Sequence, residues 1–123
     1  MYHSIVIEES LQDKNILKKY RILRTKVGQK WHLHIIEVKD LSGFIKDFQN
    51  TMVSDKPYYF HVYDDNKFLK VIFKDKIFDL NSFDKNTWIE AQKYGGEKLN
   101  IPPKELDFSP NNFTTENDWY NHK

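Results

Sequence analysis

Apolar positions recur along this chain with two different periods, and the switches between them mark its elements. Residues 2–8 hold Ile5, Val6 and Ile7 and read as a buried strand. Ser10-Leu11-Gln12-Asp13 is a capping-box-like start with aspartate in the last place, so a short helix carrying Leu11, Ile16 and Leu17 is predicted to follow. Residues 20–27 form a second strand, polar enough to be an edge, and Gly28-Gln29 turns the chain into a third over 30–38. On that third strand Trp31, Leu33 and Ile35 fall on one face, with His32, His34 and Ile36 on the other. The clearest helix comes next: Leu41, Phe44, Ile45, Phe48 and Met52 repeat at helical spacing behind Asp40, a suitable cap.

Residues 57–80, PYYFHVYDDNKFLKVIFKDKIFDL, place two aromatic-rich runs around a polar turn, the pattern of a β-hairpin. A two-residue turn at Asp65-Asn66 sets Val62 opposite Leu69, Phe60 opposite Val71 and Tyr58 opposite Phe73. Tyr59, His61 and Tyr63 then share the other face of their strand. Residues 76–80 add a short strand. Ser82 or Asp84 caps a further helix with Trp88, Ile89 and Ala91 inward, ended by Gly95-Gly96. Residues 101–108 suggest one helical turn with proline at its start. The expected organisation is one α+β domain over 1–108. Residues 109–123 read as a tail, with isolated Phe113, Trp119 and Tyr120, that drapes over the domain or is partly mobile.

The order β-α-β-β-α-β up to the start of the hairpin matches a ferredoxin-like split βαβ, here extended by a hairpin strand, a short strand and a C-terminal helix. That topology puts the first and third strands at the centre, antiparallel, with two helices on one face. The covered face is expected to receive Trp31, Leu33, Ile35, Phe60 and Val62. The opposite face is expected to collect Ser4, Val6 and Glu8 with His32 and His34, and Tyr59, His61 and Tyr63.

Composition narrows the chemistry. The absence of cysteine excludes disulfides, thiolate metal sites and cysteine nucleophiles and fits a cytoplasmic protein. Four glycines and no Gly-rich loop exclude a P-loop. No apolar run is long enough to span a bilayer, and the N-terminus has no signal-peptide pattern. Nineteen Lys and Arg against eighteen Asp and Glu leave a net charge of +1, which argues against nucleic acid as a partner.

No catalytic residue emerges, so the leading expectation is a non-enzymatic binding or assembly module using one sheet face: Tyr59, His61, Tyr63, His32 and His34. An open aromatic face exceeds the apolar patch of an ordinary monomer, so a homodimer or a partner protein is expected to cover it. The alternative is a metal-binding protein or metal-dependent enzyme. His32 and His34, two apart on a strand, point the same way, and Glu8 can supply a carboxylate; imidazoles suit a divalent transition metal such as zinc. A third reading is an RNA-binding domain stacking bases on Tyr59, His61 and Tyr63, with Arg24, Lys26 and Lys30 near phosphates. The glycine and leading basic residue of the usual RNA-recognition motif are missing from 58–63.

Lys74-Asp75-Lys76-Ile77-Phe78, Thr87-Trp88, Tyr94-Gly95, Ile101-Pro102 and Leu106-Asp107-Phe108 together resemble a group of small uncharacterised prokaryotic proteins. The resemblance covers the C-terminal half, and Tyr2-His3-x-Ile5-Val6 extends it. It implies no activity and no functional residues.

Overall fold

A computed structural model describes residues 1–121. Six strands form one antiparallel sheet: β1 (Tyr2–Ile7), β2 (Arg21–Val27), β3 (His32–Val38), β4 (Tyr59–Tyr63), β5 (Phe68–Phe73) and β6 (Ile77–Asn81), in the spatial order β2-β3-β1-β4-β5-β6. With three α-helices, α1 (Leu41–Asn50), α2 (Ile89–Lys93) and α3 (Phe113–Asn121), the fold is α+β. Among the described residues no helix is long and apolar enough to cross a membrane.

Helix α1 forms where its apolar spacing predicts. Asp40 caps it by accepting from the Gly43 amide at 3.2 Å, and Phe44, Ile45 and Phe48 are buried against the sheet. The first connection departs from expectation. Ser10 does not open an α-helix, because the chain around Leu11 runs extended beside the end of α1. There Gln12 N donates to Thr51 O (2.7 Å) and Val53 N donates to Ser10 O (2.8 Å). What remains is a 3-10 helix over Lys14–Lys19, capped by Asp13, whose side chain accepts from Asn15 N. Leu11 and Leu17 still reach the α1 side of the core.

The hairpin pairs one residue out of the expected register: Tyr63 faces Leu69, His61 faces Val71 and Tyr59 faces Phe73. The cause is Asp64. Its carboxylate accepts from Asn66 N (2.8 Å) and Phe68 N (3.2 Å), closing a longer loop than the two-residue turn. The slip turns Leu69, Val71 and Phe73 to the face of Tyr59, His61 and Tyr63. Lys70 goes to the α1 side, where it meets Asp79 at 3.1 Å.

The assignment of the β1 and β3 residues to faces is also corrected. Ile5 lies opposite both Ile35 and His61, whereas Val6 lies opposite His34 and Ser4 opposite Ile36. Leu33 and Ile35 therefore share a face with His61. His34, Ser4 and Val6 belong with Phe60 and Val62 on the α1 side. The physical reason is that both faces are covered, so Ile5-Val6 and Ile35-Ile36 are buried on opposite sides and their continuous apolar runs carry no inside-outside signal.

Beyond β6 the chain crosses to the face opposite α1. Asp84, one of the two expected caps, caps a 3-10 helix over Lys85–Trp88 that leads into α2. Trp88 and Ala91 are buried, but Ile89 is exposed. Gly95-Gly96 does not end the helix; both lie in a π-helical turn over Tyr94–Lys98. Gly95 is needed for close approach, since a Cβ there would sit 2.7 Å from Leu106 Cδ2. A 3-10 turn over Pro103–Glu105 follows as predicted. Residues 109–121 then lie across the sheet and end in α3, with Phe113, Trp119 and Tyr120 half-buried against it. His122 and Lys123, the end of the expected tail, lie outside the described residues.

Candidate functional site

The face bearing Tyr59, His61 and Tyr63 is covered by the segment from Ile101 to α3, an arm that returns over the middle of the sheet. Its contacts are polar as well as apolar. His3 Nδ1 and the Tyr63 hydroxyl both meet Glu116 Oε1, at 2.7 and 2.6 Å, and Phe113 stacks on the His3 ring at 3.9 Å. The Tyr59 hydroxyl donates to the Glu105 carbonyl. At the β2 edge, Arg24 lies over the Tyr120 ring and Lys26 over the Trp119 ring. His61 and Tyr63 are thus buried and Tyr59 half-buried. None of the three offers a free ring for stacking.

The arm does not fill the space beneath it. A cavity of about 240 Å³ remains between sheet and arm. Its apolar wall comes from Ile5, Ile7, Leu33, Trp31, Ile101 and Trp119, with Tyr59 and His61 in the sheet and Lys104, Glu105 and Asp107 on the arm. Grooves elsewhere are larger but more polar, such as the one of about 660 Å³ beside Lys14, Lys30 and Lys56. Apolar walls with a few converging polar groups are what a small-molecule site requires.

His61 is the buried polar group of this cavity, at 4% exposure. Its Nε2 meets the Pro110 carbonyl at 2.7 Å; a carbonyl can accept and not donate, so Nε2 carries the proton. Burial pushes its pKa down to about 4, against smaller upward effects from the Pro110 carbonyl and Asp107. The ring is therefore neutral at pH 7, with a bare lone pair on Nδ1. Among the described residues no group bonds to Nδ1, and no fully buried side-chain nitrogen or oxygen lacks a partner. Nδ1 therefore keeps some access to open space, and His61 lines the cavity. Burial also raises the pKa of Tyr59, helped by Asp107 and Glu105, and that of Tyr63, helped by Glu116. Both stay protonated.

His32 and His34 are not part of this face. His34 is buried on the α1 side between Thr25 Oγ1 (2.9 Å, on Nδ1) and Glu8 Oε1 (2.8 Å, on Nε2). His32 is more exposed and is clamped by Glu9, which meets its Nδ1 at 2.7 Å and its backbone amide at 2.9 Å. Burial works to raise the Glu9 pKa, but these hydrogen bonds and the His32 charge outweigh it and hold the carboxylate below its ordinary value. Donor atoms of Glu8, Glu9 and His32 all lie within 4.8 Å of one another. The expected trio of Glu8, His32 and His34 thus becomes Glu8, Glu9 and His32, with His34 behind Glu8.

Glu9, Pro110, Glu116 and Trp119 were not anticipated as site residues. Glu116 had a local signal: Asn112 caps α3 by accepting from Thr115 N at 2.8 Å, which marks a helix start just before it. Pro110 supplies only a backbone carbonyl, for which no residue type is diagnostic. No protein-family model, curated protein or solved structure matches the chain.

Proposed function

We propose that this protein is a small non-enzymatic binding module whose ligand enters the cavity between the sheet and the C-terminal arm. The observation that carries the reading is His61: a buried, neutral imidazole that lines an apolar cavity, with one nitrogen bonded to Pro110 and the other bonded to no described residue. The sheet face stays the functional face, with a small molecule as its occupant in place of a second subunit. The order β2-β3-β1-β4 with antiparallel neighbours supports a ferredoxin-like core, its first crossover made of 3-10 turns. NMR titration with a set of neutral aromatic fragments tests the reading. Binders are expected to shift resonances of Ile5, Leu33 and Trp119, and Leu33→Trp, which fills the cavity, is expected to abolish the shifts. Silence at these residues, or shifts untouched by Leu33→Trp, would overturn it. Sedimentation at several concentrations separates the alternative occupant, since a dimer that dissociates on dilution would point to a second copy.

A second reading is favoured by the convergence of Glu8, Glu9 and His32: a site for a divalent transition metal such as zinc. His34 and Thr25 would serve as the outer layer that orients Glu8. Calorimetric titration with zinc is expected to give a single site that Glu9→Gln and His32→Ala each weaken at least tenfold. Heats unchanged by both substitutions would end this reading.

A further inference from the structure

The chemistry of the cavity restricts what it can hold. Its charges offset one another: Lys104 and Asp107 line it with opposite signs, and Glu105 is paired with Lys30, outside the lining, at 3.9 Å. A charged ligand would lose its hydration against Ile5, Leu33 and Ile101 without a matching counter-charge. The volume of about 240 Å³ suits a compact molecule of one or two rings. At its sheet wall stands a lone pair that no described residue satisfies. A wholly apolar ligand would strip water from Nδ1 and give nothing in return.

We propose that the occupant is a small uncharged aromatic molecule that donates an N–H or O–H to His61 Nδ1, an inference that rests on the binding-module reading above. Pro110 is a positioning residue: its carbonyl holds the proton on Nε2 and so keeps Nδ1 an acceptor. Of the ionisable groups that border the ring or the cavity, Tyr59 is committed to the Glu105 carbonyl and Tyr63 to Glu116, and Tyr58 packs against the α1-side core. Lys104, Glu105 and Asp107 sit on the arm side of the cavity. The imidazole is the buried acceptor on the sheet side of the cavity.

Matched probes test this: indole against indene, and phenol against toluene, each pair alike in shape and different in the donor. Titrations of the intact protein, followed by amide shifts and by the ¹⁵N resonance of His61 Nδ1, should show indole and phenol binding about tenfold or more tighter than their partners. The Nδ1 resonance should move upfield with the donors alone. His61→Gln keeps an amide donor for Pro110 and moves the remaining acceptor, Oε1, off the Nδ1 position, so the difference within each pair should shrink. His61→Asn places an amide oxygen near the Nδ1 position and should restore part of the difference. Equal binding of both members to the unaltered protein would overturn the donor proposal and leave the cavity reading standing. Failure of all four probes to shift any cavity residue would overturn both. The ¹⁵N readout on the unaltered protein decides the matter even if a His61 variant does not fold.

Discussion

On the α1 side of the sheet, Phe44, Phe48 and Phe60 meet ring against ring with Tyr20, with neighbouring centroids 4.5 to 6.2 Å apart. On the arm side, the rings of His3, Tyr59, His61 and Tyr63 are each tied by hydrogen bonds to a segment of the chain 46 to 113 residues away, and a cavity remains among them. One side gains from dense apolar contact. The other relies on a polar network whose members must all be satisfied, and leaves a void where one acceptor is not. Dense packing and an accessible site are incompatible at the same place, and this small fold separates them by giving each a face of one sheet.

The strongest test of that contrast is truncation on the dense side. Phe48 is fully buried, so Phe48→Ala removes a ring and leaves a hole that the surrounding rings cannot close. A loss of about 3–5 kcal/mol is expected from urea unfolding. Phe113→Ala, at a half-buried ring on the arm, should cost clearly less. Equal losses would mean that the two faces do not differ in the way proposed.

The next largest effect is a pH dependence confined to the arm side. Unfolded His61 takes up a proton as pH falls through about 6.5, while the folded form stays neutral down to about 4. The unfolded state binds more protons in that window. Stability is therefore full above pH 6.5, falls towards pH 4 and levels below it. The linkage amounts to roughly 3 kcal/mol at most. Unfolding midpoints of the native chain and of His61→Gln, followed from pH 7 to 4, should diverge at the high end and converge at the low end. Parallel curves would show that His61 is not held neutral.

These two tests also separate what could be read from the sequence from what could not. Helix α1 was legible because its apolar residues lie on one side and its cap is local, so neighbours along the chain dictate the structure. The sheet faces were not, because Ile5-Val6 and Ile35-Ile36 are buried on both sides and alternation loses its meaning. The hairpin register depended on one side chain, Asp64, satisfying two amides of the loop. Tyr59 and His61 could be singled out from their shared strand face, but the cavity around them draws on five separate segments. Trp31, Ile101 and Trp119 converge there only through tertiary folding. His32 and His34 do lie near a carboxylate as expected, yet Glu9 takes the inner place because it pairs with both the ring and the amide of His32.

Glu116 is the centre of the arm-side network, since one of its oxygens serves both His3 and Tyr63. Glu116→Leu keeps the bulk and removes the acceptor, leaving the Tyr63 hydroxyl buried without a partner. A cost of about 1–3 kcal/mol is expected, with faster amide exchange throughout α3 and no change in α1. Faster exchange in α1 as well would indicate one cooperative unit and erase the distinction between the faces.

The smallest effect is expected at the outer end of the arm. Helix α3 contains no fully buried residue, and its far end is held to β2 by Arg24. The guanidinium donates to Asn117 Oδ1 at 2.7 Å and lies 4.8 Å from the Tyr120 ring centre. Exposed contacts of this kind contribute about 0.5–1 kcal/mol, so Arg24→Ala should barely move the unfolding midpoint. Its effect should instead appear in local opening. Amides in the last turn of α3 should exchange faster, while those of β4 and α1 keep their native rates. Because Trp119 belongs both to this end of α3 and to the cavity wall, the same substitution should speed fragment entry and exit together and leave the affinity nearly unchanged. Unaltered exchange kinetics of a bound fragment would mean that the cavity is reached by another route, along Lys104 and Asp107, and that the end of α3 is simply anchored there.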